Sequence, residues 1–351
     1  MSMRFKGPLR TLVPLAVLGL ASIGGSCAQQ PPAQRSSTTP QIQLDVVVTP
    51  KSGPPVANLE QQDFTVVDNK AAQPITAFKA ISAKQEPVNV ILVVDAVNTS
   101  FTNISYERGQ ISNFLKANGG HLAYPTKLAI VTDTGAKMSQ GYSTEGNGID
   151  DAFENSVIGL RNITRSTGIY GADERFQLSL KALATIAATD ATRPGRKIIL
   201  WISPGWPLLS GPNIQLTVEQ RGRLFGTIVG LSDELRKERV TLYSIDSLGT
   251  SEGVGPVFLY QQYVKGVSKS SQVEIGDLSL QALAEQTGGM ALNSSDVAGL
   301  LNKCIADLDA YYELTVEALP AEQPNEYHHL EVKVDKPGLV ARTREGYYAQ
   351  P

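Results

Sequence analysis

Histidine and cysteine are scarce: the 351 residues include three of the first and two of the second. His121 follows Gly119-Gly120 in a turn. His328 and His329 are adjacent, and in a strand they point to opposite faces, so both cannot easily ligate one metal; a surface strand accounts for them. A basic excess is missing too, with 31 Lys and Arg against 34 Asp and Glu and a net charge of −3. Nucleic-acid binding would need a basic stripe, and none is offered. There is no G-x-S-x-G elbow for a nucleophilic serine and no Gly-Lys dipeptide for a phosphate loop. Gly249, Gly253 and Gly255 share a loop with Thr250 and Ser251, but no G-x-G-x-x-G follows a strand, so a surface excursion is the expectation. No internal repeat is visible. What the chain does have is 42% hydrophobic residues with 19% charged, enough for a real core in one large domain or two smaller ones.

The first 28 residues read as a signal peptide. Arg4, Lys6 and Arg10 form a positive n-region, and Thr11 to Ile23 is apolar but shorter than the ~20 residues a membrane-spanning helix needs. Small residues at Ser26 and Ala28 suit cleavage after Ala28; a lipoprotein anchor on Cys27 is the alternative. No later stretch approaches roughly 18 uninterrupted apolar residues, so no transmembrane helix is expected in the mature chain. Cleavage leaves Cys304 alone and excludes an internal disulfide. Its place in the series Val297, Leu301, Cys304, Leu308, Tyr311, one face of a helix, makes it a buried structural thiol.

Residues 29–40, QQPPAQRSSTTP, form a flexible leader. Ile42, Leu44, Val46 and Val48 then alternate with more polar neighbours, and Phe64 to Val67 and Ile75 to Ile81 give two further short strands. At Pro87 the texture changes. VNVILVV, residues 88–94, is an apolar run of the kind buried on both faces of a parallel sheet. Similar runs recur at Leu128 to Val131, Ile198 to Ile202, Val240 to Ile245 and Met290 to Leu292. Helical patterns lie between them, including Phe176, Leu180, Leu183, Ala187 and Leu224, Ile228, Leu231, Leu235. Another helix begins near Asp277 and stops at Gly288-Gly289, and Ser295 is placed to cap one running toward Tyr311. After Tyr311 the period returns to two, in Tyr312 to Leu319, His329 to Val334, Leu339 to Thr343 and Gly346 to Tyr348. The fold class is therefore α/β, a doubly wound, mostly parallel sheet spanning 87–310, with a sandwich-like β domain built from both flanks, 41–86 with 311–351.

Open α/β sheets gather ligand chemistry at the carboxyl ends of their strands. Those ends here carry Asp95, Asn98, Thr99 and Ser100; Thr132, Asp133 and Thr134; Ser203-Pro204-Gly205-Trp206; and Asp246-Ser247. Such residues also cap helices and satisfy loop backbones, the alternative use of each. The run VILVVDAVNTS resembles the first strand and metal loop of von Willebrand factor A (VWA) domains, whose motif is D-x-S-x-S. Ser166-Thr167-Gly168-Ile169-Tyr170-Gly171-Ala172 is similar to the family's threonine loop, and KIILWISPGW resembles the strand that usually ends in T-D-G. VVVTPKSGPPVANLEQQDFTVVDN before this region, with DAYYELTV and GLVARTREGYYA after it, resemble the VWFA-related acidobacterial subgroup. The resemblance implies Mg2+ held by two serines, a threonine and acidic groups, with one position left for a partner's acidic residue. Asp95 and Thr167 are kept and Thr99 can replace the second serine, but Val97 stands for the first serine and Pro204 for the second aspartate. A remnant of Asp95, Thr99 and Thr167 is left, and Mg2+, which demands near-octahedral oxygen coordination, is not expected to bind saturably.

These readings lead to an exported, non-enzymatic VWA-like protein, periplasmic or extracellular, that binds a protein or envelope component through its strand-end face. The partner-binding candidates are Asp95, Asn98, Thr99, Thr167, Ser203, Gly205 and Trp206; no catalytic residue and no cofactor are assigned. Trp206, beside Pro207-Leu208-Leu209, is either an apolar interface anchor or packing for the domain's own helices. The alternatives are a hydrolase whose loops assemble a site invisible to sequence order, and a structural envelope component without a discrete ligand. Intact-mass measurement of the exported form should give a chain starting near Gln29; a diacylglyceryl mass on Cys27 would place it among lipoproteins, and an uncleaved chain would exclude both.

Overall fold

A computed structural model describes residues 40–82, 85–157, 159–160, 163–208, 215–247 and 259–351. The signal peptide, the leader through Thr39, Cys27, Leu209 and the glycine loop at 249–255 lie outside the described residues. Four strands come first: β1 (Gln41–Pro50), β2 (Phe64–Asp68), β3 (Ala71–Gln73) and β4 (Ile75–Ser82). In β1, Ile42, Leu44, Val46 and Val48 are buried while Gln41 and Gln43 are exposed, the period of a strand with one face on a core. β5 (Val88–Asp95) is instead buried at every position. Helix α1 (Phe101–Gly120) starts at Ser100, whose hydroxyl accepts from the amide of Asn103, and loses helical geometry at Ala117, where Asn118 and Gly119 turn left-handed. β6 (His121–Thr132), β7 (Gly135–Met138) and β8 (Ser143–Glu145) precede α2 (Gly146–Val157) and α3 (Gly168–Ala188). Next come β9 (Arg196–Ile202), α4 (Val218–Lys237), β10 (Val240–Asp246), α5 (Leu280–Gln286), β11 (Ala291–Asn293) and α6 (Val297–Ala306). β12 (Ala310–Glu317), β13 (Glu326–Val334), β14 (Leu339–Arg342) and β15 (Gly346–Ala349) end the chain.

Seven strands form the central sheet, in the order β11-β10-β9-β5-β6-β7 with β8 also paired to β6. β5, β6, β9, β10 and β11 pair in parallel, and β7 and β8 add antiparallel edges. Side chains alternate between two cores, as the pleat requires. Val90, Leu92 and Val94 pack with Ile104 and Leu115 of α1, Phe153 of α2 and Leu301 of α6. Ile91 and Val93 pack on the other side with Leu180 of α3, Leu231 of α4 and Leu283 of α5. The apolar runs are explained by this double cover: no position of β5, β9 or β10 faces water. Two antiparallel sheets of four strands complete the fold, ordered β14-β1-β12-β4 and β15-β13-β2-β3. Leu44, Val46, Val66, Tyr312, Leu314 and Leu330 fill the space between them. The chain is thus mixed α/β, with one largely parallel sheet and two antiparallel ones, and residues 39–351 form one compact unit. No helix among the described residues is long and apolar enough to cross a membrane.

Several local expectations are corrected. The last helix ends at Ala306 rather than near Tyr311, which is buried in β12, and Asp296 rather than Ser295 caps it by accepting from the amide of Gly299. Tyr311 fitted a helical period only because a buried strand residue is apolar as well. Near Asp277 there is a 3-10 turn, and the α-helix starts one residue after its cap, Ser279. His121 opens β6, the turn lying just before it. The His328-His329 strand is not simply a surface strand: His328 is buried, its Nδ1 2.9 Å from Asp68 Oδ1, and Tyr347 donates to the other carboxylate oxygen at 2.7 Å. Cys304 is buried and free, and burial pushes its thiol well above the usual range.

Gly195 shows how tightly β9 is led into the sheet. Its φ is +97°, and a Cβ there would stand 1.9 Å from the carbonyl oxygen of Pro87, the group that accepts from the amide of Arg196. Gly195→Ala should therefore destabilise the fold by about 2–5 kcal/mol in denaturant titration, combining left-handed strain with a backbone clash; a loss below 1 kcal/mol (roughly the usual surface scatter) would show that the β5–β9 lead-in is slack.

Candidate functional site

The chain leaves β5 for β6 on one side and comes back to β9 on the other, so the loops after β5 diverge at a switch point. Asp95 closes β5 at that point, fully buried. Its Oδ1 accepts from the backbone amide of Asn98 at 3.0 Å. Its Oδ2 accepts from Asn98 Nδ2 at 2.9 Å, Trp201 Nε1 at 3.1 Å and Ser203 Oγ at 3.1 Å. Burial raises the carboxyl's pKa, and these four donors oppose the rise. Asn98 continues the network by donating to Ser179 Oγ on α3 at 2.8 Å, and Ser179 donates to the carbonyl of Arg175. One carboxylate thereby joins the ends of β5 and β9 to a helix on one face of the sheet.

The other predicted residues are scattered in role. Thr99 is buried, and its hydroxyl has no partner among the described residues, while its carbonyl accepts from Arg165 Nε at 2.9 Å. Thr167 is exposed at the start of α3 and makes no side-chain cap. Ser203 accepts from the amide of Gly205 as well as donating to Asp95. Gly205 has φ +108°, and a Cβ would lie 2.6 Å from Gln281 Nε2. Trp206 is not an outward anchor: it is 5% exposed and meets Trp201 edge-on with ring centroids 5.4 Å apart. Of its two sequence readings, packing within the domain is the one the structure shows. Val97 sits in the same core as Phe176, Leu180 and Trp201.

These groups do not fit a divalent cation. The Asp95 oxygens face N–H and O–H donors, two of which, Asn98 Nδ2 and Trp201 Nε1, carry no lone pair to offer a metal. Val97 packs its side chain into the core and Pro204 brings no side-chain oxygen, so neither can ligate a cation. Among the described residues no group of three or more His, Cys, Asp or Glu is arranged to hold a metal ion.

Sequence reasoning missed two features at this end. Glu107 lies wholly buried on α1, in the stripe Ile104, Glu107, Ile111, Leu115, where a carboxylate interrupts an otherwise apolar face. That interruption was the available signal. Ser247 donates to its Oε1 at 2.6 Å, and Oε2 has no partner among the described residues. Desolvation, reinforced by the nearby charges of Asp95 and Asp246, pushes the Glu107 carboxyl up to about 7. The second feature is Ile169-Tyr170, in the first turn of α3, where the side chains are 65% and 92% exposed. The segment before them is tied to the strand ends through Arg165 and Thr99, and through the amide of Thr164, which donates to Asp133 at 2.9 Å. Val218, the first residue of α4, is 87% exposed.

No protein-family model matches the sequence, and no curated protein matches it. Solved structures similar to the chain include proximal thread matrix protein 1 from the mussel byssus, at 13% identity over 69% of this chain and 51% of that one, with a TM-score of 0.37. The chain thus spans about half the length of the mussel protein. Manganese-loaded TRAP protein of Plasmodium vivax aligns at 12% identity over 77% of this chain and 96% of that one, with a TM-score of 0.32. Human Sec24c of the COPII coat aligns at 9% identity over 78% and 46%, with a TM-score of 0.36. TRAP and Sec24c are VWA-domain proteins.

Glu107 generates a prediction with a definite sign. A carboxyl whose pKa is higher in the folded chain than in the unfolded one contributes stability that is complete below the unfolded value, near 4.5, and is lost as pH rises through about 7. Glu107→Gln keeps the acceptor for Ser247 without the charge. It should be more stable than the natural chain at pH 8, by on the order of 3 kcal/mol or less, and nearly equal to it at pH 5, in denaturant titrations. A variant less stable than the natural chain at pH 8 would show that the ionised carboxylate is needed.

Proposed function

We propose that this chain is an exported VWA-like binding protein, its central sheet a doubly wound VWA relative, that docks a protein or envelope component on its strand-end face without a metal and without catalysis. The reading is supported chiefly by one observation: a 92%-exposed Tyr170 next to a 65%-exposed Ile169 on the rim of the switch point, beside a polar network in which both Asp95 oxygens are already engaged. Large apolar side chains left in water at a rigid rim cost solvation that a partner recovers, and tyrosine is among the residues that dominate interface energy. In this reading the contact residues shift outward from the sequence candidates. Asp95, Asn98, Thr99, Ser203, Gly205 and Trp206 set the shape of the loops, and Thr167, Ile169 and Tyr170 present the surface. Asp95 is then a positioning residue, its carboxylate replacing the cation as the hub around which the loops are organised.

Two measurements test the reading. A photo-crosslinker placed at Ile169 should capture a defined envelope protein, with capture reduced about tenfold by Tyr170→Ala at unchanged melting temperature and unaffected by chelator. Chelator-sensitive capture, or capture indifferent to Tyr170→Ala, would overturn it. Titration calorimetry should show no saturable Mg2+ or Mn2+ binding; tight one-site binding abolished by Asp95→Ala would restore a metal-dependent mechanism.

A further inference from the structure

At the end of the central sheet opposite Asp95, where β9 and β10 begin, β1 and the segment joining β14 to β15 close over a small cavity. Arg239, just before β10, reaches Asp45 of β1 at 2.6 Å and also pairs with Glu313 of β12. Arg196, the first residue of β9, lies 3.2 Å from the other Asp45 oxygen and stacks over Tyr311 with 4.2 Å to the ring centre. Both Asp45 oxygens are therefore taken up by guanidinium groups.

Arg344 has no such arrangement. It is 8% exposed and takes part in no hydrogen bond or ion pair among the described residues, although its nitrogens are not among the wholly buried unpaired atoms. It shares the cavity wall with Arg236, Arg239 and Thr343. Three donors on that wall are buried and unpaired among the described residues, namely Nε of Arg236, Nε of Arg239 and the hydroxyl of Thr343. Among the described residues the Arg236 guanidinium pairs only with Asp233 on its own helix, at 3.3 Å. The cavity has a volume of about 20 Å³, room for one occupant of roughly water size. Burial and the neighbouring charge of Arg236 push the Arg344 guanidinium down to about 10, against the opposing charges of Asp45 and Asp233.

A set of donors without an acceptor is costly to bury, and an unpaired buried charge costs more. Water supplies acceptor lone pairs but no charge. A monatomic anion supplies both and fits the volume, whereas a tetrahedral oxyanion needs several times the space. We propose that the cavity walled by Arg236, Arg239, Thr343 and Arg344 binds a single halide ion, chloride under ordinary conditions, as a structural ligand joining the flanking strands to the central sheet. The ion would complete the charge balance that Asp45 and Glu313 leave unfinished. Asp45 lies on the same wall, and its pairing with Arg196 and Arg239 is what keeps its charge from repelling the ion.

The full mature chain can be melted in sodium chloride, sodium bromide, sodium gluconate and sodium sulfate at one ionic strength. A ligand that binds only the folded state raises the melting temperature with the logarithm of its concentration once it saturates. Chloride and bromide should do so, gluconate should not, and chlorine-35 NMR of the folded protein should show a line broadened by exchange and sharpened by competing bromide. Arg344→Gln should weaken chloride at least tenfold. If that variant does not fold, Thr343→Val keeps every charge, and it should weaken chloride about threefold without altering the gluconate melting curve. Equal melting in chloride and gluconate with no broadened line would mean that water fills the cavity and would overturn the proposal, as would stabilisation by sulfate alone.

Discussion

The loops at the switch point depend on one buried carboxylate. Asp95 sits where the sheet changes direction, and its two oxygens accept from the loop that follows it, from the next strand and from the turn after that strand. A carboxylate with several good donors pays its desolvation cost by ordering those donors, so the three chain segments cannot relax independently. This constraint explains why Trp201 and Trp206 can meet edge-on directly beneath it, and why Ser203 serves twice, as donor to Asp95 and acceptor from Gly205. It also explains how a switch-point loop keeps its form with a valine and a proline, neither of which offers a side-chain oxygen, beside it.

The same end of the sheet holds a second carboxylate with a different character. Asp95 is surrounded by donors, whereas Glu107 has a single serine and two like charges nearby. Burial raises both carboxyls, but four donors oppose the rise at Asp95, whereas Glu107 has only Ser247 to do so and is driven toward the neutral acid. The opposite end of the sheet inverts the imbalance, with arginines outnumbering the acids that face them. The fold therefore gathers unbalanced charge at the two ends of its strands, while the middle of β5 is purely apolar.

Much of the architecture was legible because a strand covered on both faces is mostly apolar along its length, so VNVILVV announced itself. The polar residues at the strand ends were legible as a group, since topology rather than pattern puts them together. What each of them does was not. A tryptophan followed by Pro207 and Leu208 reads equally well as an anchor or as core, and only the position of Trp201 decides it. Glu107 was hidden for the opposite reason: an isolated acid on a helix is ordinarily a solvated residue, and its burial follows from the neighbouring helix and strand end rather than from its own segment. Tyr311 shows the limit of periodicity near an element boundary, where a helical series and a buried strand demand the same side chain.

The pairing of β1 with β12 also dictates an order of events in synthesis. The first described strand has its long ladder with a strand near the other terminus, and a bond such as that from the amide of Leu59 to Tyr312 Oη closes a span of 253 residues. A chain emerging from its N-terminus therefore carries β1 as an unpaired, half-apolar edge until nearly all of it has been made. Such edges recruit other strands. Any step that keeps the chain extended until β12 has emerged would keep that edge from pairing with the wrong strand.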